Sequence, residues 1–584
     1  MKTSFMRATR KALLSFCASA LCLSPLSAAT LYWDTDSVAT GVGGTGNWNT
    51  GNLFWNDAST GAGIVSGWSN ANRDTADFRG TAGTVTVASG IAAGAINFNT
   101  AGYTLSGADI TLGRASGTGN VTVLNYAAGT GTNTVSSNII LDDVGTAGTA
   151  ANYTFNNSGT GALTLNGNLT LNYSSGTPAG NKVVVFQTGN SGASITLNGN
   201  IAQGANGGAS SLWNVTYGQG GSSQSNAQAI NGTFYVNGNN TYGRGTTING
   251  GTVIATNNNA FGSGTITFGS SGARGDMKLL TDGDLTITNA ISVSGASTSQ
   301  TYIGGNTAHD TTFSGAINLN AFGTNGTPGV ISTPDPILTA ATGGRVNFSG
   351  ALNATSGIPR GIVKKGAGIV ALSNATGNAY KGYTKVDEGT LLLMNTSGSA
   401  TGDASQLAPG TAAVIVAGGA QLGGTGFSTT LVSATAANSV FTPGDMTKAG
   451  VSSIGTLNLT GGLTAANGAT FNFDVNGASV DAVNFGTGAV SMGGTATFNF
   501  TSLGSVLTGT DYSLFLGSGD WTSISSTFIF NGPAGFTVSS NNFDAANHIL
   551  TVQFSAIPEP STYAIFAGAS CLLLVVGRRN RRSA

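Results

Sequence analysis

The chain is short of charge, cysteine, proline and histidine, and each shortage removes a class of explanation. Charged residues are 8% of 584, against about 25% in average globular proteins. Glutamate occurs only as Glu388 and Glu559. The Lys, Arg and Glu that coat exposed helix faces are missing, which argues against a helical body. All three cysteines, Cys17, Cys22 and Cys571, lie in terminal apolar segments. The body between them therefore has no disulfide framework, no thiolate metal site and no cysteine nucleophile. Eleven prolines are too few for collagen or a polyproline linker. The two histidines, His309 and His548, have no ligand partner at helical or hairpin spacing. They are expected at solvent-facing strand positions, and no metal or cofactor is expected.

What is abundant is glycine, at 91 residues, over twice the usual share of about 7%. Ser, Thr, Asn and Ala fill much of the rest. Hydrophobic residues reach 40% and aromatics 8%, enough for a core. Val, Ile, Thr, Phe and Tyr build strands, and Gly and Asn turn them. The expected class is all-β.

The net charge of −1 hides an uneven distribution. Setting aside Lys2, Arg7, Arg10 and Lys11 at the front and Arg578, Arg579, Arg581 and Arg582 at the back leaves 14 basic against 23 acidic residues. A mildly acidic body argues against nucleic acid as a partner.

Both ends read as addresses. Residues 1–29 have a basic start, an apolar stretch from Ala12 to Leu23 and a small-residue run, Ser27-Ala28-Ala29. That is the layout of a signal peptide, helical before removal, with signal peptidase cutting after Ala29. At the other end, "IPEPSTYAIFAGASCLLLVVGRRNRRSA" spans 557–584. Its apolar run, Tyr563 to Gly577, falls short of the roughly 20 residues that span a bilayer comfortably. Snorkelling arginines behind it extend its reach as a transmembrane helix, with 561–577 as the anchor. The arginines then stay cytoplasmic.

Pro558-Glu559-Pro560, an apolar helix and a terminal arginine cluster resemble the PEP-CTERM sorting signal of Gram-negative bacteria. The resemblance implies that an exosortase-type membrane protease reads Pro558, Glu559, Pro560, Arg578, Arg579, Arg581 and Arg582 as recognition residues. It also implies release or transfer at the cell surface or into an extracellular matrix, with exopolysaccharide as a partner; exposed Thr, Asn and Ser ladders offer hydrogen bonds to glycans or to copies of the chain itself.

The body, 80–481, is a degenerate array. "LTLNGNLTLNY" from Leu163, "ITLNGNIAQG" from Ile195, "LTITNAISVSG" from Leu285, "TFSGAINLN" from Thr312 and "NFSGALNA" from Asn347 each read as two short alternating strands with a tight corner. Their starts are irregularly spaced. Two longer units, Phe234 to Phe268 and Gly361 to Asn395, share N-x-Y-x-G-x-T-x-[IV]-x-x-G-T-[LV] if the spacing of Asn240 and Asn378 differs by one residue. They resemble the autotransporter-associated, or passenger-associated, β-strand repeat; no C-terminal stretch reads as a membrane β-barrel.

Such units suit an elongated right-handed parallel β-helix. Backbone bonds run between rungs, inward residues stack as ladders, and Gly and Asn take positive φ at the corners. About 20 turns would make a rod on the order of 100 Å. Serial β-sandwiches are the alternative. Residues 30–79 hold Trp33, Trp48, Trp55 and Trp68 and read as a cap over the first rung, or else as a sugar-stacking platform. Residues 482–556, rich in aromatics, read as a C-terminal β module.

Catalysis would need convergent ionisable groups. Asp282 and Asp284 alternate as a paired-acid glycosidase requires, although "DGD" also makes an ordinary turn. The leading expectation is a non-enzymatic, exported structural or adhesive surface protein. A β-helix polysaccharide lyase or hydrolase is the alternative, and acids gathered with a base on adjacent rungs would favour it. Binding to ice or a crystalline surface needs a regular threonine array, and the irregular repeats count against one.

Overall fold

A computed structural model describes residues 28–557, apart from 37–40, 115–118, 144–150, 174–181, 205–212, 219–230, 270–274, 296–298, 322–333, 355–359, 404–406, 408–411, 435, 451 and 466–467, and beyond them 570–572 and 578. Short strands repeat in a fixed order. Val121–Tyr126, Thr132–Val135 and Ile139–Asp143 make one rung, and Ala151–Asn157, Ala162–Leu165 and Leu169–Tyr173 make the next. Each strand pairs in parallel with its counterpart in the following rung. The chain is a β-solenoid. This parallel pairing excludes serial sandwiches, which are antiparallel.

One sheet carries a strand in every rung from Gly46–Trp48 to Ser523–Ile524, eighteen strands in all. With about 4.8 Å between neighbours the rod is about 80 Å long. A second sheet runs along the N-terminal part as far as Leu352–Asn353. The third face is a five-stranded sheet from Ile91–Ala93 to Ile201–Gln203. From Thr286–Ile287 onward another sheet takes that place and continues to Thr527–Asn531. Parallel rungs pass residue 482 without a break. Antiparallel pairing closes the C-terminal end only where Ile549–Ala556 lies between Tyr512–Leu516 and Phe536–Asp544.

The alternation of apolar and polar residues drives the fold. Inward residues are buried and stack in register: Phe155, Phe186 and Tyr217 have ring centroids 5.2 and 5.6 Å apart. Phe441, Phe471 and Phe498 form a second ladder at 5.1 and 5.2 Å. Each ladder adds offset-stacking attraction to the burial of apolar area.

Many glycines between strands take positive φ as expected, Gly90 and Gly102 among them, but the Asn-Gly-Asn corners use glycine for another reason. In the Asn-Gly-Asn corners a side chain on the glycine would collide with the rung below: a Cβ at Gly199 would stand 2.0 Å from the Gly167 carbonyl oxygen. Close approach, not positive φ, fixes glycine there. The asparagines are used for their side chains. Asn138, Asn168 and Asn200 each accept through Oδ1 from the backbone N–H of the next rung, at Asn168, Asn200 and Asn239, over 2.8–2.9 Å.

The two long units fold alike and correct their alignment. Asn240, Tyr242 and Thr246 match Asn378, Tyr380 and Thr384 at identical spacing; it is the glycine that shifts. Asn240 Oδ1 accepts from Ile201 N at 2.7 Å and its Nδ2 donates to Ala260 O at 2.6 Å. Asn378 repeats this with Leu352 N and Ala400 O at 2.9 and 2.8 Å. The Tyr–Thr hydroxyl pairs lie at 2.7 and 2.6 Å.

Candidate surface site

Trp33, Trp48, Trp55 and Trp68 are all buried. Their rings pack against one another at 4.5–5.2 Å, and Phe78 joins them at 5.8–6.0 Å from Trp33, Trp48 and Trp55. No indole face is open for a sugar, which removes the stacking-platform reading and leaves a hydrophobic plug at the first rungs.

Ala29 is exposed, one residue before Thr30–Trp33, and its backbone N–H donates to Asp74 Oδ1 at 2.8 Å. Pro558, Glu559, Pro560, Arg579, Arg581 and Arg582 lie outside the described residues, as does the apolar run except for 570–572; Arg578 is helical and exposed. Among the described residues no helix is long and apolar enough to cross a membrane.

One face gathers several of the few charges that the chain possesses. "DGD" forms a turn between Met277–Thr281 and Thr286–Ile287. The ring of His309, which follows Thr301–Gly305 on the next rung, leans on it, with Nδ1 3.2 Å from Asp284 Oδ1 and Nε2 4.0 Å from Asp282 Oδ1. Two N–H donors, the Asp310 backbone first and the His309 ring second, hold the Asp284 carboxyl below the usual carboxylate range. Among the described residues no group of three His, Cys, Asp or Glu side chains is arranged to hold a metal ion.

Lys448 and Arg345 complete this cluster from distant sequence positions. After Val440–Pro443 the chain folds back as a strap across the outer face of the solenoid before entering Thr456–Leu459. Arg345 ties the strap down, 2.9 Å from Asp445 Oδ1 and donating to Met446 O at 2.6 Å. Lys448 at the tip sits 3.7 Å from Asp284 Oδ1 and 3.5 Å from Asp310 Oδ2. The Met446 side chain packs on Ile369, Ala371 and Leu392, an apolar patch on the outside of the solenoid. Between strap and sheet lies a polar cleft of about 260 Å³ lined by Asp310, Thr312, Arg345, Asn347, Thr447 and Lys448. Acids and bases on successive rungs are the signature named above for an enzyme. Yet both cations are engaged by carboxylates, and the Asp284 carboxyl is held down rather than raised as a general acid requires.

On the rungs before Lys278 the outer face of the longest sheet is uncharged. Asn198 Nδ2 donates to Asn166 Oδ1 and Asn237 Nδ2 to Asn198 Oδ1, both at 2.7 Å, and Thr256 Oγ1 donates to Asn237 Oδ1 at 2.8 Å. This amide ladder climbs the rod beside half-exposed threonines. It can offer hydrogen bonds to a ligand but no acid–base chemistry.

No protein-family profile matches the chain. A segment of 135 residues is 44% identical to the adhesin BmaC autotransporter of Brucella suis biovar 1 (strain 1330). The match covers 20% of this chain and 4% of that much longer protein. The chain thus has partial homology to an autotransporter adhesin, and its long parallel sheets agree with passenger-type repeats.

Proposed function

We propose that the protein is an exported, non-enzymatic adhesive rod of the cell surface or extracellular matrix, presented by a PEP-CTERM-type tail. The observation that carries the reading is the homologous segment shared with an adhesin, in a solenoid whose longest sheet shows the outside uncharged hydroxyl and amide ladders. Signal peptidase would remove residues 1–29, and an exosortase-type protease would read Pro558, Glu559, Pro560 and the arginines. Intact mass and fractionation from the native host test the targeting: both ends should be lost and the body found outside the inner membrane. Retention of the tail in the inner membrane would make this a tethered periplasmic rod instead. Deleting the gene should reduce attachment of the cells.

A second reading, a β-helix polysaccharide lyase or hydrolase, is favoured by Asp282, Asp284, His309, Asp310 and Arg345 gathering on successive rungs. Release of new reducing ends or unsaturated sugars from a polysaccharide, abolished by Asp284→Asn, would establish it in place of the adhesive role.

A further inference from the structure

Irregular repeat spacing in the sequence does not make the surface irregular, because the extra residues leave in loops at the rung corners. On the longest sheet, register aligns Thr84 with Thr104, Thr104 with Thr134, Thr134 with Thr164 and Thr164 with Thr196. The inward neighbours Val85, Leu105, Val135, Leu165 and Leu197 are buried, which fixes all five threonines outward. The column therefore places one hydroxyl every ~4.8 Å along the rod, with flanking columns about 6.6 Å to either side, two residues along each strand.

Three features separate this column from an ordinary polar surface. First, the asparagines beside its upper rungs are satisfied internally, since the Asn166–Asn198–Asn237 ladder bonds to itself. The hydroxyls of the five threonines, in contrast, have no protein partner among the described residues. Second, the face carries no charged residue on any rung before Lys278, in a body that is acidic overall. Third, the next position of the same column is Tyr235, in register with Thr196 and 38% exposed. A partly exposed aromatic ring interrupts the run of hydroxyls that a flat lattice such as ice would need, whereas it offers apolar surface to a sugar ring.

We propose that the column from Thr84 to Thr196, ending at Tyr235, seats an ordered neutral polysaccharide laid along the rod axis. The inference rests on the adhesive reading and names its ligand class. Neutral chains fit because no charge on the face complements an ionic glycan. Repetition fits because each single hydroxyl contact is weak and many in register add without further ordering cost.

The test uses the processed protein and depletion from solution by microcrystalline cellulose and by chitin. The triple variant Thr104→Val, Thr134→Val, Thr164→Val keeps shape and strand preference and removes three hydroxyls. It should bind at least ten-fold more weakly to whichever fibre retains the wild type. The matched triple on other faces, Thr111→Val, Thr154→Val, Thr170→Val, should bind as wild type, which separates the column from general destabilisation. Equal binding by the column variant overturns the proposal, as does failure of the wild type to bind either fibre. Inhibition of ice recrystallisation that is lost with the column would also overturn it, assigning the face to ice. Attachment of host cells keeps the two readings apart. If deletion strains attach normally, the adhesive reading fails. If the column variant restores attachment, only the ligand assignment fails.

Discussion

A buried side-chain amide performs at the corners of this solenoid what a turn performs elsewhere. Asn378 is almost fully buried, and it satisfies a backbone N–H on one rung and a carbonyl on another. Removing it strands both groups in the interior, at about 1–3 kcal/mol for a buried unsatisfied group. Asn378→Ala should therefore lower the unfolding free energy obtained from a urea titration by at least that amount. Asn240→Ala should match it, because the two corners superimpose bond for bond. A loss at one corner only would mean the likeness is not energetic. Asp481 carries a different consequence. Its carboxyl is buried and accepts from Gly455 N at 2.6 Å and Asp474 N at 2.8 Å. Burial pushes it up to about 7, against the pull of those two N–H donors. The folded chain holds this proton where the unfolded chain, near 3.8, has lost it. The stability it contributes is full below about pH 4 and is lost as the pH rises through about 7. In thermal melts Asp481→Asn should flatten that part of the decline between pH 4 and 7; an unchanged profile would exclude Asp481 as its source.

At the scale of elements, much was legible and the reasons for the rest are physical. Strand pairs such as "LTLNGNLTL" showed their inward and outward residues directly, since a two-residue period survives any loop length. The corner asparagines were visible as corners, but their reason was not, because a hydrogen bond to the next rung is non-local. The strap was invisible. Nothing in "DMTKAG" marks a strap, because its contacts with Asp284, Asp310 and Arg345 join segments far apart in sequence. The column of threonines was obscured by the same irregular spacing that the solenoid expels at its corners. The strap also makes a prediction. Its ion pairs are half-exposed, and such pairs contribute about 0–1 kcal/mol each. Lys448→Ala should leave the melting temperature of the rod nearly unchanged while hydrogen exchange at Met446–Gly450 accelerates. The same acceleration should appear in the wild type at high salt, where screening shortens the reach of the pairs. If protection of the strap persists in both, the seat of Met446 on Ile369, Ala371 and Leu392 holds it without the latch.

The whole molecule is close to one-dimensional: each rung touches the rungs beside it, so stability is a chain of neighbour terms. An interior rung is covered on both sides, whereas the first has only the tryptophan plug between its apolar interior and water. Trp55 is the centre of that plug, in ring contact with Trp33, Trp48, Trp68 and Phe78. Trp55→Ala removes a buried indole at a cost of about 3–5 kcal/mol. In a globular domain with one core, such a loss would lower the protection of every slowly exchanging amide alike. Here it should stay local. Amides of Thr30–Trp33, Thr75–Phe78 and Thr84–Val87 should exchange fast, those of Thr104–Gly107 less so, and those of Val414–Val416 as in the wild type. The frayed end would also expose unpaired strand edges, so the variant should form end-to-end assemblies that grow with concentration. A uniform loss of protection along the rod would instead mean that the solenoid unfolds as a single cooperative unit, and that the plug stabilises all the rungs rather than the nearest ones.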